Sequence, residues 1–148
     1  MRPSLLWQAG SMATGPWPYP FRPTPWEDIA RFLGRLAETH DEFGHMAAVA
    51  DSVVASGSTD SLAGCTSMHD ILVVSTPVRE PPYDLVVVRA PSSLRPPRAG
   101  CVLIEHLTGT GRNDKIERPT ADAVPLFWRF MIEKFGVYPA AGAQGNDD

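Results

Sequence analysis

Two pairs of adjacent ionisable residues stand at the ends of apolar segments and are the residues best suited to proton transfer. Asp70 follows His69 at the start of one segment, and His106 follows Glu105 near the end of another. A carboxyl or imidazole group enclosed by apolar side chains has a shifted pKa, which general acid–base catalysis exploits. Neighbouring residues of a strand point to opposite faces of a sheet, so neither dipeptide is itself a catalytic pair. His69, Asp70, Glu105 and His106 are therefore candidate catalytic residues that must meet across strands.

An ion pair is the plainer role for Glu105 and is favoured over catalysis. Arg89, Arg112 and Arg118 are all candidates to neutralise its carboxylate. Structural ion pairs also gather at strand ends, so residue type alone leaves both interpretations open.

The charged residues 113–118 follow a turn that contains Gly109 and Gly111. The turn lacks the third glycine of a dinucleotide-binding motif and the Gly-Lys-Ser/Thr of a P-loop, so it predicts a hairpin-type turn. We expect residues 113–118 to form a solvated loop or, as the alternative, a lip over the site. In the second case the ligand-binding candidates are Arg112, Asp114, Arg118 and Trp128. Trp128 also belongs to an aromatic stripe that is typical of a helix packed in a core.

Metal and nucleophile chemistry have weak support. His40, Asp41, Glu42 and His45 gather four ligand types, but no His-Glu-x-x-His or Cys-x-x-Cys spacing accompanies them. Neither cysteine has a nucleophile motif around it, and no Gly-x-Ser-x-Gly occurs. We therefore expect no metal and no cofactor.

Three β-rich runs, residues 69–76, 83–90 and 100–108, are joined by short proline-rich connections. Such connections cannot hold a parallel crossover, so the runs predict an antiparallel meander of three or more strands. Both faces are apolar at mid-strand, and each must therefore be covered. Helices can cover one face, while the other requires the aromatic arm, a second subunit or a ligand cavity.

Helical patterns flank the sheet, which predicts an α+β fold. Thr24 as N-cap, Pro25 at the first position and Glu27 at the third predict an N-terminal amphipathic helix that ends near His40. A C-terminal aromatic-rich helix is capped by Thr120 or Asp122 and ends at Gly136. Residues 45–56 fit a helix or a strand, with the helix favoured.

Composition predicts a single α+β domain over residues 16–138. Its first part, residues 16–25, is a Pro/aromatic arm expected to pack on its own domain, with partner recognition as the alternative. Residues 1–15 and 139–148 are predicted to be a disordered lead-in and a disordered tail.

Charge and cysteine usage restrict the partners and the compartment. A net charge of −4 with scattered basic residues argues against nucleic acid as a partner. No apolar run approaches the length of a membrane span, and residues 1–7 have too few consecutive apolar residues to predict a signal peptide. The two cysteines, Cys65 and Cys101, show no spacing typical of a disulfide framework, which predicts a reduced, cytoplasmic protein. The composition, rich in Arg, Ala, Gly and Pro, indicates a GC-rich bacterial genome.

Two functional classes fit these patterns. The first is a small-molecule-binding protein or cofactor-independent enzyme that isomerises, cyclises or dehydrates a hydrophobic substrate in a pocket between helices and sheet. The second is an interaction module, such as an adaptor, chaperone or immunity-type protein, that meets a protein partner through an apolar sheet face or the arm. A homodimer is compatible with either class.

Overall fold

The computed structural model describes residues 20–110 and 113–140. In chain order, these residues form two α-helices, five β-strands and a final helix. The helices are α1 (Trp26–Thr39), α2 (Gly44–Ser56) and α3 (Ala123–Phe130), the last continuing as a π-helical turn over Met131–Phe135. The strands are β1 (Leu62–Ser67), β2 (Asp70–Ser75), β3 (Leu85–Arg89), β4 (Cys101–Leu107) and β5 (Asp114–Pro119). Short 3₁₀ turns cover Asp41–Phe43, Thr59–Ser61 and Thr120–Asp122.

The five strands form one antiparallel sheet whose spatial order follows the chain from β1 to β5. This confirms the predicted α+β fold with a β-meander. Residues 45–56 lie in α2, which confirms the helical prediction. Within residues 20–110 and 113–140, no helix is both long and apolar enough to cross a membrane. The predicted lead-in, residues 16–19 of the arm and residues 141–148 of the tail lie outside the described residues.

The predicted capping box at the start of α1 is wrong. Pro25 is the N-cap residue, and no side chain caps this helix end. Thr24 instead forms an isolated β-bridge, and its backbone N–H donates to the Gly64 oxygen at 2.8 Å. Pairing with β1 holds Thr24 in an extended conformation outside the helix. The predicted ends near His40 and at Gly136 are confirmed, and Gly136 has the positive φ of 68° expected of a helix stop.

The preferred prediction of a loop at residues 113–118 is also wrong, because this segment is most of β5. Ile116 is the only apolar residue in it and packs against the helix-covered core, opposite Ile104 of β4. The charged neighbours on either side lie at the edge of the sheet, where charge is common in native proteins. A single apolar residue gives too weak an alternation to identify a strand.

Both faces of the sheet are buried, as predicted. On one face, alternate residues of β2, β3 and β4 pack against the three helices. On the other face, Leu72, Val74, Leu85 and Val87 pack with Tyr83 and with Phe21 of the arm. The Phe21 amide donates to Tyr83 Oη at 2.9 Å. Within its described part, the arm therefore packs on its own domain.

Candidate functional site

Asp70 and Glu105 are brought together by Arg89. Strand β3 lies between β2 and β4, and the three residues occupy the sheet face opposite the helices. Arg89 Nε donates to Glu105 Oε2 at 2.8 Å, and Arg89 Nη1 donates to Asp70 Oδ2 at 3.2 Å. This is the cross-strand meeting that the sequence predicts, and it takes the form of the ion-pair alternative with Arg89 as partner.

Asp70 also organises the loop that follows β3. Its carboxylate accepts hydrogen bonds from the Ala90 backbone N–H at 2.8 Å and from Ser93 Oγ at 2.9 Å. Burial raises the pKa of Asp70, and these bonds together with Arg89 oppose that rise. Because its oxygens are occupied by loop and arginine donors, Asp70 is positioned to hold the loop against the sheet.

The triad of Asp70, Arg89 and Glu105 is almost closed to solvent. Asp70 and Glu105 are 5% and 4% exposed, and the guanidinium between them supplies the hydrogen-bonded positive partner that a buried carboxyl group requires. With both carboxylates ionised, the triad carries one more negative than positive charge. Arg89 is therefore the residue that compensates the buried negative charge of Asp70 and Glu105.

His106 lies on the other sheet face from Glu105. Its Nε2 is hydrogen-bonded to Asp84, and its ring packs against Phe135 with centroids 6.4 Å apart. Strand alternation therefore separates the two residues as expected. Only 12% of the His106 side chain is exposed. The hydrogen bond to Asp84, just before β3, and the contact with Phe135 together hold the ring in place.

His69 belongs to a third location, the two-residue turn between β1 and β2. Its Nδ1 is hydrogen-bonded to Ser92 Oγ at 2.8 Å, and its ring contacts Phe43 and Phe32, with centroids 5.3 and 5.7 Å away. Both turn residues, Met68 and His69, have positive φ values of 50° and 76°. The four predicted catalytic residues thus fall into three separate clusters.

The predicted ligand-binding residues that the structure describes, Asp114, Arg118 and Trp128, each contact different partners. Asp114 pairs with Lys134 of the π-helical turn, and the Arg118 guanidinium donates to the Glu117 backbone oxygen at 3.2 Å. Trp128 is 8% exposed, and its indole N–H donates to Ser52 Oγ at 3.0 Å. Trp128 therefore belongs to the core between α2 and α3. Arg112 lies outside the described residues.

A cleft of about 490 Å³ lies between the first turn of α2 and the start of β4. Its volume falls within the range of small-molecule pockets. Ionisable and polar side chains contribute to its wall together with prolines from the loop between β3 and β4, and the larger part of the wall's exposed area is apolar. The lining residues are Asp41, Glu42, His45, Pro91, Pro97, Arg98, Ala99, Gly100, Cys101 and Thr120.

His45 is the unusual residue of the cleft. Its Nε2 is buried and has no hydrogen-bond partner among the described residues. Burial lowers the pKa of His45 from the ordinary value of 6.5, so the imidazole is neutral at pH 7. An unpartnered buried polar atom costs about 1–3 kcal/mol and is rare in native proteins. His45 is therefore a candidate binding residue, whose buried nitrogen would reach a bound molecule through a rotation of the ring towards the cleft.

In the sequence, His45 stands out only as a potential metal ligand beside His40, Asp41 and Glu42. Within the described parts of the chain, no group of three or more His, Cys, Asp and Glu residues is arranged to hold a metal ion. The other cysteine, Cys65, lies on the second sheet face, where burial raises its pKa to about 11. Its thiol is therefore protonated at pH 7 and poorly nucleophilic.

Comparison with known proteins gives no match to a family model, to a curated protein or to a solved structure. The chemistry of the cleft is therefore inferred from its own residues.

Proposed function

We propose that the protein binds a small polar molecule in the cleft lined by His45. Two observations carry the proposal: a cavity of about 490 Å³ has His45 among its lining residues, and Nε2 of the same ring is buried without a hydrogen-bond partner among the described residues. This proposal keeps the class of small-molecule binding and replaces the expected hydrophobic ligand with a polar one. It also moves the site from Glu105 and His106 to the first turn of α2.

The charges of the wall favour a ligand that carries an amine or other hydrogen-bond donors. Asp41 and Glu42 are exposed carboxylates at the cleft. Arg98 is the positive residue of the wall, and Glu117 neutralises it through an Nε–Oε1 contact of 3.0 Å. The remaining charge of the cleft is therefore negative, which attracts a cation.

The neutral state of His45 adds a chemical capacity to the cleft. A neutral imidazole accepts a proton with one ring nitrogen and donates one with the other. A bound substrate with an acidic C–H or O–H group would meet a base that is uncharged at pH 7. The same arrangement thus supports proton-transfer reactions such as isomerisation or dehydration, in addition to binding.

Butylamine should bind in the cleft more tightly than the matched probes butanol and butyrate, because only the amine complements Asp41 and Glu42. Backbone ¹H–¹⁵N NMR shifts of Gly44, Gly100 and Cys101 would report the position of the probe. Replacing His45 with alanine should weaken butylamine binding by about tenfold, the worth of one hydrogen bond to a buried group. His40→Ala is the matched control, since His40 directly follows α1 and is not among the residues that line the cleft. Shifts that map elsewhere, or equal binding by both variants, would contradict the proposal.

Acidification should destabilise the protein through His45. Its folded-state pKa is lowered, so the unfolded chain takes up a proton first as the pH falls through about 6.5. The stability contributed by the neutral ring is present above that pH and is lost below it. Urea unfolding at pH 7.5 and pH 5.5 should show a smaller pH dependence for His45→Gln than for the original protein. An unchanged dependence would mean that the ring is solvated.

A further inference from the structure

Strand β5 ends the described sheet and directs part of its backbone away from it. The Thr120 N–H donates to the Gly100 oxygen at 3.0 Å, so Thr120 and the alternate residues before it direct their amides towards β4. Lys115 and Glu117 lie between those residues and direct their N–H and C=O groups outwards. Consistent with this, the Glu117 oxygen accepts a hydrogen bond from the Arg118 guanidinium at 3.2 Å. The outer side of β5 therefore offers two amides and the Lys115 carbonyl to another strand, and the Glu117 carbonyl keeps one lone pair besides the one that Arg118 occupies.

The charges of β5 are complementary to the same strand in the opposite direction. Asp114, Lys115, Ile116, Glu117 and Arg118 alternate around a central apolar residue. When a second copy runs antiparallel with Ile116 opposite Ile116, Lys115 faces Glu117 and Asp114 faces Arg118. Opposite charges directly across an antiparallel pair are stabilising, whereas like charges are destabilising.

We propose that two copies of this chain pair β5 with β5 about a twofold axis at Ile116, which joins their two sheets into one. The occupant of the free edge is thus a second copy of the chain. In this register Lys115 and Glu117 form the hydrogen-bonded pairs, and these are the residues whose backbone groups point outwards. The direction of the backbone groups and the order of the charges are independent observations, and both favour the register with Ile116 opposite Ile116.

Other registers lack this agreement. Centring the pair on Lys115 or on Glu117 places two like charges opposite each other. If the register shifts by one residue, Lys115 lies opposite Ile116 of the second copy. The backbone groups of Ile116 point towards β4 of their own sheet, so they cannot bond to Lys115. The charges that oppose these pairings protect the edge against unrelated strands as well.

The existing ion pairs are compatible with this dimer. Glu117 is bound by Arg98, and Asp114 by Lys134, on the two faces of the sheet. Lys115 and Arg118 of a second copy would add one cation to each carboxylate. A single edge strand gives an interface at the small end of the specific range, so the dimer should dissociate on dilution.

Charge reversal tests the pairing. Lys115→Glu and Glu117→Lys should each raise the dissociation constant of the dimer about tenfold or more, because each variant sets like charges opposite each other twice. An equimolar mixture of the two should restore association, since every facing pair is then complementary. Sedimentation velocity over a dilution series would measure all three samples. Variants that dimerise as well as the original chain, or a mixture that stays monomeric, would overturn the proposal.

Lys115→Pro provides a test that does not depend on charge order. It removes one outward N–H and leaves the pairing with β4 intact, because proline is tolerated on the free side of an edge strand. We expect a folded monomer with the far-ultraviolet circular dichroism of the original protein. Arg31→Glu on the outer side of α1 is the control for surface charge and should not affect association. A dimer of unchanged affinity in the proline variant would overturn the proposal.

Discussion

Replacing Arg89 with methionine should lower the free energy of unfolding by about 3–5 kcal/mol, the cost of leaving buried charges unpaired. The guanidinium lies between Asp70 and Glu105, and its side chain is only 15% exposed. Methionine retains much of its volume but none of its charge. Urea denaturation at pH 7, followed by circular dichroism, would measure the loss.

The deficit of Arg89→Met should become smaller as the pH falls. Burial already raises the pKa of Asp70, and removing Arg89 takes away one of the contacts that oppose the rise. A carboxyl with a raised folded-state pKa contributes stability below its unfolded pKa of 3.8 and loses it as the pH rises. The variant should therefore approach the original protein between pH 7 and pH 4.

Two further variants separate this explanation from a general packing effect. Adding Glu105→Gln to Arg89→Met should recover part of the stability, because one of the two unpaired charges is removed. Arg31→Met, at an exposed arginine of α1, should cost less than about 0.5 kcal/mol. A loss of similar size in Arg31→Met, or none in Arg89→Met, would show that the charge of Arg89 does not stabilise Asp70 and Glu105.

Replacing Gly64 with alanine should lower the free energy of unfolding by about 1–3 kcal/mol through overpacking. A Cβ at this position would lie 2.6 Å from Cη2 and Cζ2 of Trp26. The indole cannot retreat without losing the hydrogen bond from its Nε1 to the Leu62 oxygen, which is 2.9 Å long. Thermal and urea unfolding at pH 7 would both report the change.

Gly34→Ala is the matched control, because a Cβ there meets nothing within 4 Å and the residue lies inside α1. It should raise stability by about 0.5–1 kcal/mol, since alanine is the better helix former. The cost of Gly64→Ala should also shrink in a Trp26→Phe background, where the ring is smaller. Equal costs in both backgrounds would show that the indole does not set the size limit at Gly64.

The fold was predictable where the sequence carries a regular period. The valine-rich runs that became β2, β3 and β4 alternate over both faces, and short proline-rich connections left only antiparallel pairing. Strand β5 was missed because Ile116 is its single apolar residue. Thr24 was misassigned because its capping sequence is local, whereas its hydrogen bond is made to Gly64, which is distant in the chain.

The polar clusters were predictable in part. Strand alternation correctly separated Glu105 from His106, and Arg89 was among three arginines proposed for Glu105. The choice among them required the strand order, which no local pattern contains. The cleft was out of reach for a stronger reason: it forms where the loop between β3 and β4 lies beside the first turn of α2, and only tertiary packing brings His45 near Gly100 and Cys101.

The bridge between Thr24 and Gly64 makes the two edge strands of the described sheet, β1 and β5, differ in how open they are to further pairing. At β1, the preceding chain already occupies the Gly64 carbonyl, and Trp26 lies directly over that residue. At β5, the outward carbonyls and amides face no further strand of the described sheet. If β5 pairs with β5 as proposed and the bridge at Gly64 hinders pairing at β1, the sheet stops growing at two copies. Assembly on this fold would therefore be finite, without the end-to-end polymerisation that leads to fibrils.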